Sequence, residues 1–322
     1  MKNILLIGAG KLGVRHLQAI QKIKIPVKIQ VVDNSLNSLQ LAKEISGSSD
    51  ISSSIKAITF LRNISEVEGE IDICIIATSA NVRLHIMKEL LSLTKVNNFL
   101  LEKVMFQSLT QLHEAINLLK SKGAKAWVNC PRRMYDFYKD LKVVLDGDEF
   151  VSLKVCGSEW GMACNSIHFI DLWAFLSKDV KYNLKCTKLE PVIYESKRPG
   201  FMEVYGILTG NSKNSYFEFI CTHADKVSLE IEIETNNHHI LINEVLSNMR
   251  VIDKRNDNFV DEKIIVPFQS NLTNVFCENL LSQQEPELVC FSESAYLHEK
   301  YLESLLQFFQ SIDLKFKECP IT

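Results

Sequence analysis

Through the first 125 residues, short runs of β-branched and aliphatic side chains alternate with amphipathic stretches. That order predicts βαβ units feeding a parallel sheet. Strands are expected over 3–7, 28–33, 71–77, 98–102 and 126–129, and helices over 11–24, 35–46, 83–93 and 109–121, the last capped by Gly123. From about Phe150 the period shortens to two, the mark of an antiparallel sheet with one buried face. Val227, Leu229, Ile231 and Ile233 are expected on one side there, with Ser228, Glu230, Glu232 and Glu234 on the other. Further strands are expected over 151–157, 203–209, 216–222, 239–245 and 263–267, and helices over 165–176, 272–282 and 293–312.

A length of 322 residues is about twice that of an ordinary domain. With the change of period, it predicts an α/β fold with a parallel, doubly wound domain over 1–125 and a mostly antiparallel one over 126–322. Hydrophobic residues make up 46% of the chain and charged ones 23%, enough to bury a core. The 36 basic residues against 39 acidic ones leave no excess to neutralise phosphates, so nucleic acid is not expected as a partner. The nine cysteines are odd in number, scattered and never spaced as C-x-x-C, which argues against a disulfide framework or a zinc site. No metal is expected, and reduced thiols point to the cytoplasm. The apolar run at Ile4–Ile7 is short and soon followed by Lys11, Arg15 and His16, so it reads as a strand and not a leader. No run approaches the roughly 18 to 20 apolar residues of a membrane helix, and no membrane is expected as a partner.

Chemistry enters at Gly8-Ala9-Gly10-Lys11-Leu12-Gly13, which satisfies G-x-G-x-x-G between a predicted strand and a predicted helix. Gly8 permits the tight turn, Gly10 lets backbone amides approach a pyrophosphate, and Gly13 allows helix to pack on strand. The helix N-terminus favours the anion. Asp33, 20 residues beyond Gly13, is placed to accept hydrogen bonds from a ribose 2′-hydroxyl. NAD is therefore expected over NADP, although Lys11 and Asn34 are able to adapt the pocket to either. Thr78, Ser79 and Asn81 close the strand over 71–77 and suit a nicotinamide ribose wall, with His85 one turn onward. Ser79 and Asn81 equally suit a helix N-cap. Glu102 and Lys103 end the next strand at the same edge, where a lysine can donate to a substrate hydroxyl or carbonyl or simply face solvent.

These motifs resemble one family. The run Ile7 to His16, then Thr78 through His85, Glu102-Lys103, Asn129 with Arg132-Arg133, and Ser166-Ile167-His168-Phe169-Ile170-Asp171 are similar in order and spacing to the Gfo/Idh/MocA family of glucose-fructose oxidoreductases and inositol dehydrogenases. The resemblance covers the whole length. It implies an N-terminal Rossmann domain, a C-terminal α+β domain on an open, mostly antiparallel sheet, and homo-oligomers, dimers or tetramers, built on that sheet. It also implies hydride transfer between a nicotinamide and a hydroxyl or keto group of a sugar, sugar derivative or cyclitol. The lysine matching Lys103 would touch the reacting hydroxyl, and the histidine matching His168 would act as acid and base. Three positions depart from the pattern: Val104 stands where proline is common, Cys164 where many members carry an aspartate, and Ser166 where glycine is usual. The loss at Cys164 motivates a second reading, a dinucleotide-binding regulator or partner subunit without dehydrogenase activity.

For substrate contact, Arg132 and Arg133 suit a carboxylate or phosphate, or they pair with Asp136 or Asp140. Tyr135 and Trp160 offer a ring face, or pack as core aromatics. Asn165 is a polar neighbour for His168, and His168 with Asp171, three apart, forms either the chemical pair or a buried polar one.

Overall fold

The computed structural model describes residues 1–48, 50–223 and 226–322. The chain forms two compact units, one of residues 1–106, 110–131 and 267–292, the other of 107–109, 132–266 and 293–322.

The first unit holds β1 (Lys2–Ile7), α1 (Lys11–Ile20), β2 (Val27–Val32), α2 (Leu36–Gly47), β3 (Ile55–Leu61), β4 (Ile71–Ile76), α3 (Ala80–Leu93), β5 (Val96–Leu101), α4 (Leu109–Lys122) and β6 (Lys125–Val128). The strands form one parallel sheet in the order β3-β2-β1-β4-β5-β6. The order reverses between β1 and β4, and at such a switch point the carboxyl ends of the strands open a crevice for ligands. Ile4, Leu5, Leu6, Ile73, Cys74 and Ile75 are buried, so these central strands read as unbroken apolar runs. Strand β3 is not apparent in the pattern because it is an edge strand whose residues are half-buried or exposed. Helix α1 stops at Ile20 instead of residue 24, before Pro26, which cannot continue a helix.

The second unit contains α5 (Asp136–Val144), β7 (Phe150–Ser158), α6 (Met162–Ser177), β8 (Asn183–Leu189), β9 (Tyr194–Glu195), β10 (Met202–Glu203), β11 (Gly206–Asn211), β12 (Tyr216–Thr222), β13 (Glu230–Thr235), β14 (His238–Asn243), β15 (Asn248–Asp253) and β16 (Asn258–Lys263). Eight strands form an open sheet in the order β16-β15-β14-β13-β7-β12-β11-β8, parallel only between β7 and β12. Strands β9 and β10 make a separate ribbon. The strand expected over 203–209 is thus broken. Gly206, at φ +111°, starts β11, and a Cβ there would lie 2.6 Å from the Lys188 carbonyl oxygen. The strand expected over 263–267 does not form. The hairpin β15–β16 lies before it, and β16 is exposed throughout, so no buried face marks it in the pattern.

The alternation expected over 227–234 is confined to β13, with Val227 outside it and 47% exposed. Ile231 and Ile233 pair with Val155 and Leu153 and are buried, as are Phe217 and Phe219 opposite on β12. Helix α6 packs on β7 and β12 and is apolar nearly all round, as a buried helix must be. The apolar sheet face is therefore core. The opposite face carries cross-strand polar contacts, a hydrogen bond between His239 and Glu232 at 2.7 Å and an ion pair between Arg250 and Asp261 at 2.6 Å.

The chain then returns to the first unit. Residues 267–292, which the period alone assigns to the second domain, include α7 (Thr273–Leu281), packed on α1. Helix α8 (Phe291–Ile312) follows, its residues from Glu293 onward in the second unit. No helix of the described residues is long and apolar enough to cross a membrane.

Candidate functional site

The glycine turn joins β1 to α1 as the spacing predicts. Gly8 sits at φ +96° with Ala77 and Thr78 against it, and a Cβ on Gly13 would fall 1.8 Å from the Gly8 carbonyl oxygen. Both glycines are required by the fold. Gly10 differs: its backbone is extended, it is exposed, and a Cβ there would meet nothing within 4 Å. No side chain caps α1, so its first-turn amides keep donors for a ligand. Asp33 accepts from Ala9 N at 2.7 Å and from Ser35 N at 2.8 Å, which fixes the carboxylate under the turn. Two of its roughly four acceptor positions are used, leaving capacity for a ribose hydroxyl. Lys11 is exposed and Leu12 half-buried. The Thr78 hydroxyl, at the end of β4, is buried with no hydrogen-bond partner among the described residues. An open cradle over Gly10, an uncapped helix and a strand-end carboxylate fit a dinucleotide.

The turn after β4 is more local than expected. The Ser79 hydroxyl donates to the Asn81 side-chain oxygen at 2.7 Å, and Ser79 occupies the N-cap position of α3 without capping it. The His85 side chain is 82% exposed, 3.8 Å from Glu89. The residue that the pattern did not single out is Arg83. It is fully buried, its Nη1 donates to the carbonyls of Val104 and Met105, and its Nη2 donates to that of Thr78. Those bonds hold the turn that carries Lys103, which is half-buried; the Lys103–Val104 peptide is cis.

Glu102 is turned inward. It accepts from His16 Nε2 at 2.9 Å and from Asn129 Nδ2 at 2.6 Å. Gln269 accepts from the same Asn129 nitrogen at 3.0 Å and donates to the Thr273 hydroxyl at 2.9 Å, and that hydroxyl lies 2.8 Å from His16 Nδ1. With Glu102 ionised, His16 donates through Nε2 and accepts from Thr273, so each group in the ring has a consistent role. Burial would raise the Glu102 carboxyl, but the bonds from His16 and Asn129 and the charge of Lys103 outweigh it and hold the carboxyl below its ordinary value. Glu102 is therefore a buried carboxylate bonded to His16 and Asn129 and next in the chain to the Lys103 charge.

In the second unit, His168 lies half-buried on α6, one turn beyond Cys164. A carboxylate absent from the helix at Cys164 is present from elsewhere: Glu203 of β10 accepts from Ala163 N at 2.7 Å and from Cys164 N at 3.2 Å. Burial raises its carboxyl above the ordinary value, against the bonds from Cys164 and Ala163. Asn165 donates to the Trp160 carbonyl at 2.8 Å.

Neither arginine pairs as expected. Arg132 grips Glu244 with two bonds, 2.8 and 2.7 Å, which Tyr138 joins at 2.8 Å, and its guanidinium lies 4.2 Å from the Phe169 ring centroid. Arg133 donates to Asp171 at 2.9 Å and to Glu293 at 2.6 Å. Asp136 and Asp140 are not their partners. Both guanidinium forks are thus bonded to carboxylates within the second unit, Arg132 to Glu244 and Arg133 to Asp171 and Glu293. Tyr135 is buried against Phe137 and Tyr138, and the half-buried Trp160 packs edge-on against Phe169.

Residues 2–130 match the family described as the oxidoreductase family, NAD-binding Rossmann fold (GFO_IDH_MocA). Among curated proteins none matches the chain. A Gfo/Idh/MocA family oxidoreductase from Vibrio cholerae is 12% identical, with 98% of this chain and 100% of that one covered at a TM-score of 0.72. An oxidoreductase from Agrobacterium radiobacter, solved with NAD+, L-tartaric acid and magnesium, is 14% identical over 93% and 94% of the two chains, at 0.70. A 3-ketoreductase from Actinomadura kijaniata in complex with NADP is 11% identical over 93% and 95%, at 0.69. These likenesses establish the fold over nearly the whole chain. The sequence match is confined to residues 2–130, the part of the chain that matches the NAD-binding Rossmann family of oxidoreductases.

Proposed function

We propose that the chain is an NAD(H)-dependent oxidoreductase, able to accept NADP(H), that acts on a hydroxyl or keto group of a sugar, sugar derivative or cyclitol. The observation that carries the cofactor reading is the open space over Gly10 beside the fixed Asp33 carboxylate. Two proteins of shared fold hold NAD+ and NADP, which supports it. When bound, the nicotinamide supplies the hydride acceptor or donor. Lys103, whose charge acts on the buried Glu102 carboxyl, would stabilise alkoxide charge as it develops on the substrate oxygen. His168 would take up the hydroxyl proton in oxidation and return it in reduction, since imidazole titrates near neutral pH. The Lys103→Met and His168→Asn variants are expected to bind NADH and to lose at least about 10²-fold in turnover on a panel of free and nucleotide-linked sugars. A parent protein that binds neither NADH nor NADPH would sink this reading. A parent that binds them but turns over none of the panel would favour the dinucleotide-binding regulator suggested by Cys164.

Asp33 sets the cofactor preference. Asp33→Ala is expected to weaken NAD+ binding about tenfold, the loss of one good hydrogen-bonding group, and to narrow the gap to NADP+ because a 2′-phosphate no longer meets a carboxylate. Titration of both nucleotides by fluorescence reads the ratio; an unchanged ratio contradicts the assignment. A homo-oligomer, dimer or tetramer, is proposed through the polar face of the second sheet, where a hollow of about 700 Å³ is lined by Lys154, Glu232, Leu241 and Arg250. Light scattering tests it.

A further inference from the structure

We infer that Arg83 is a positioning residue that ties the turn after β4 to the turn carrying Lys103, so that a dinucleotide seated against the first orders the second. The inference rests on the dinucleotide reading above.

Arg83 sits in the first turn of α3, where a cation works against the helix dipole, and it is fully buried, where a cation loses its hydration. Packing alone would be served by leucine or methionine. What the guanidinium adds is a rigid fork of donors. That fork collects carbonyls from two separate turns: Thr78 after β4, and Val104 and Met105 after β5.

The chain of contacts is continuous. A Cβ on Gly8 would lie 3.1 Å from both Thr78 Cγ2 and Thr78 N, so the phosphate-binding turn rests on Thr78. Thr78 is held by Arg83, and Arg83 holds Val104 and Met105. On the other side of Lys103, Glu102 N donates to the Ile76 carbonyl at 3.2 Å. Lys103 is therefore the residue between two fixed points, one in the sheet and one on Arg83. Shifting Thr78 moves one acceptor of a planar group whose other two acceptors directly follow Lys103, and a rigid fork transmits that shift where a flexible ammonium would absorb it.

Hydrogen exchange read by mass spectrometry, with NADH as the probe, tests this on the full chain. In the parent, NADH should slow exchange in the peptide covering 8–14 and also in that covering 101–106. Arg83→Met should still show slowing over 8–14 and lose it over 101–106, and Arg83→Lys, which keeps the charge but not the fork, should restore it in part. A merely structural role would speed exchange in both peptides with or without NADH. NADH slowing over 101–106 in Arg83→Met or Arg83→Lys to the parent's extent overturns the inference. So does slowing over 8–14 alone in the parent, a result that needs no variant to fold. Absence of any NADH or NADPH effect in the parent instead overturns the dinucleotide reading itself.

Discussion

Gly13→Val is expected to abolish folding of the first unit, whereas Gly10→Val is expected to melt with the parent and to lose NADH binding. The two glycines are three residues apart in one motif, yet their environments are opposite. A Cβ on Gly13 would stand 1.8 Å from the Gly8 carbonyl oxygen, a backbone atom that cannot move without displacing the β1–α1 turn. Overpacking of that kind costs about 3 kcal/mol or more. Gly10 has an extended backbone and open space where a Cβ would project, so a side chain there costs the fold little. Its branched methyls would instead occupy the path by which a pyrophosphate reaches the amides of α1. Thermal melts and NADH fluorescence on the pair separate the two roles. Equal melting of both variants would refute the packing argument, and tight NADH binding by Gly10→Val would refute the site.

Arg133→Ala should destabilise the second unit by about 3–5 kcal/mol, as removal of one partner of a buried ion pair does. That corresponds to a fall of roughly 10 °C in melting temperature for a unit of this size. The side chain of Asp171 is 1% exposed and would be left without its guanidinium. Burial already raises the Asp171 carboxyl above its ordinary value, although Arg133 opposes the rise. A carboxyl raised in the folded state contributes stability below its unfolded value and loses it as pH climbs through the folded one. Removing Arg133 raises the carboxyl further, so the penalty should be greater near pH 7.5 than at pH 5, because acidification favours the neutral carboxyl. Melts at the two pH values check the sign. A penalty that is equal at both, or that grows at pH 5, would show that Asp171 is not the group left exposed to the loss.

The parts of the site that were legible are those in which local spacing carries the geometry. G-x-G-x-x-G between an apolar strand and an amphipathic helix already requires a turn over Gly8, Gly10 and Gly13, and Asp33 follows one βαβ unit later. The edge strands β3 and β16 were not legible, because neither buries a face that would impress a period of two on the sequence. The partners of charged groups were equally hidden. Arg132 and Arg133 have near acidic neighbours at Asp136 and Asp140, but they take Glu244, Asp171 and Glu293, between 38 and 160 positions away.

The sequence by itself determined the parallel sheet, the antiparallel second sheet and the phosphate-binding turn, since period and glycine spacing follow from backbone sterics acting over a few residues. Only the tertiary structure decided that Arg83 is buried under the Lys103 turn, that Glu102 faces His16 and Asn129, and that Glu203 brings a carboxylate to the helix of His168. Each of those groups is defined by what desolvates it and what bonds to it, and its partners arrive from elements distant in the chain, at positions that no local period encodes.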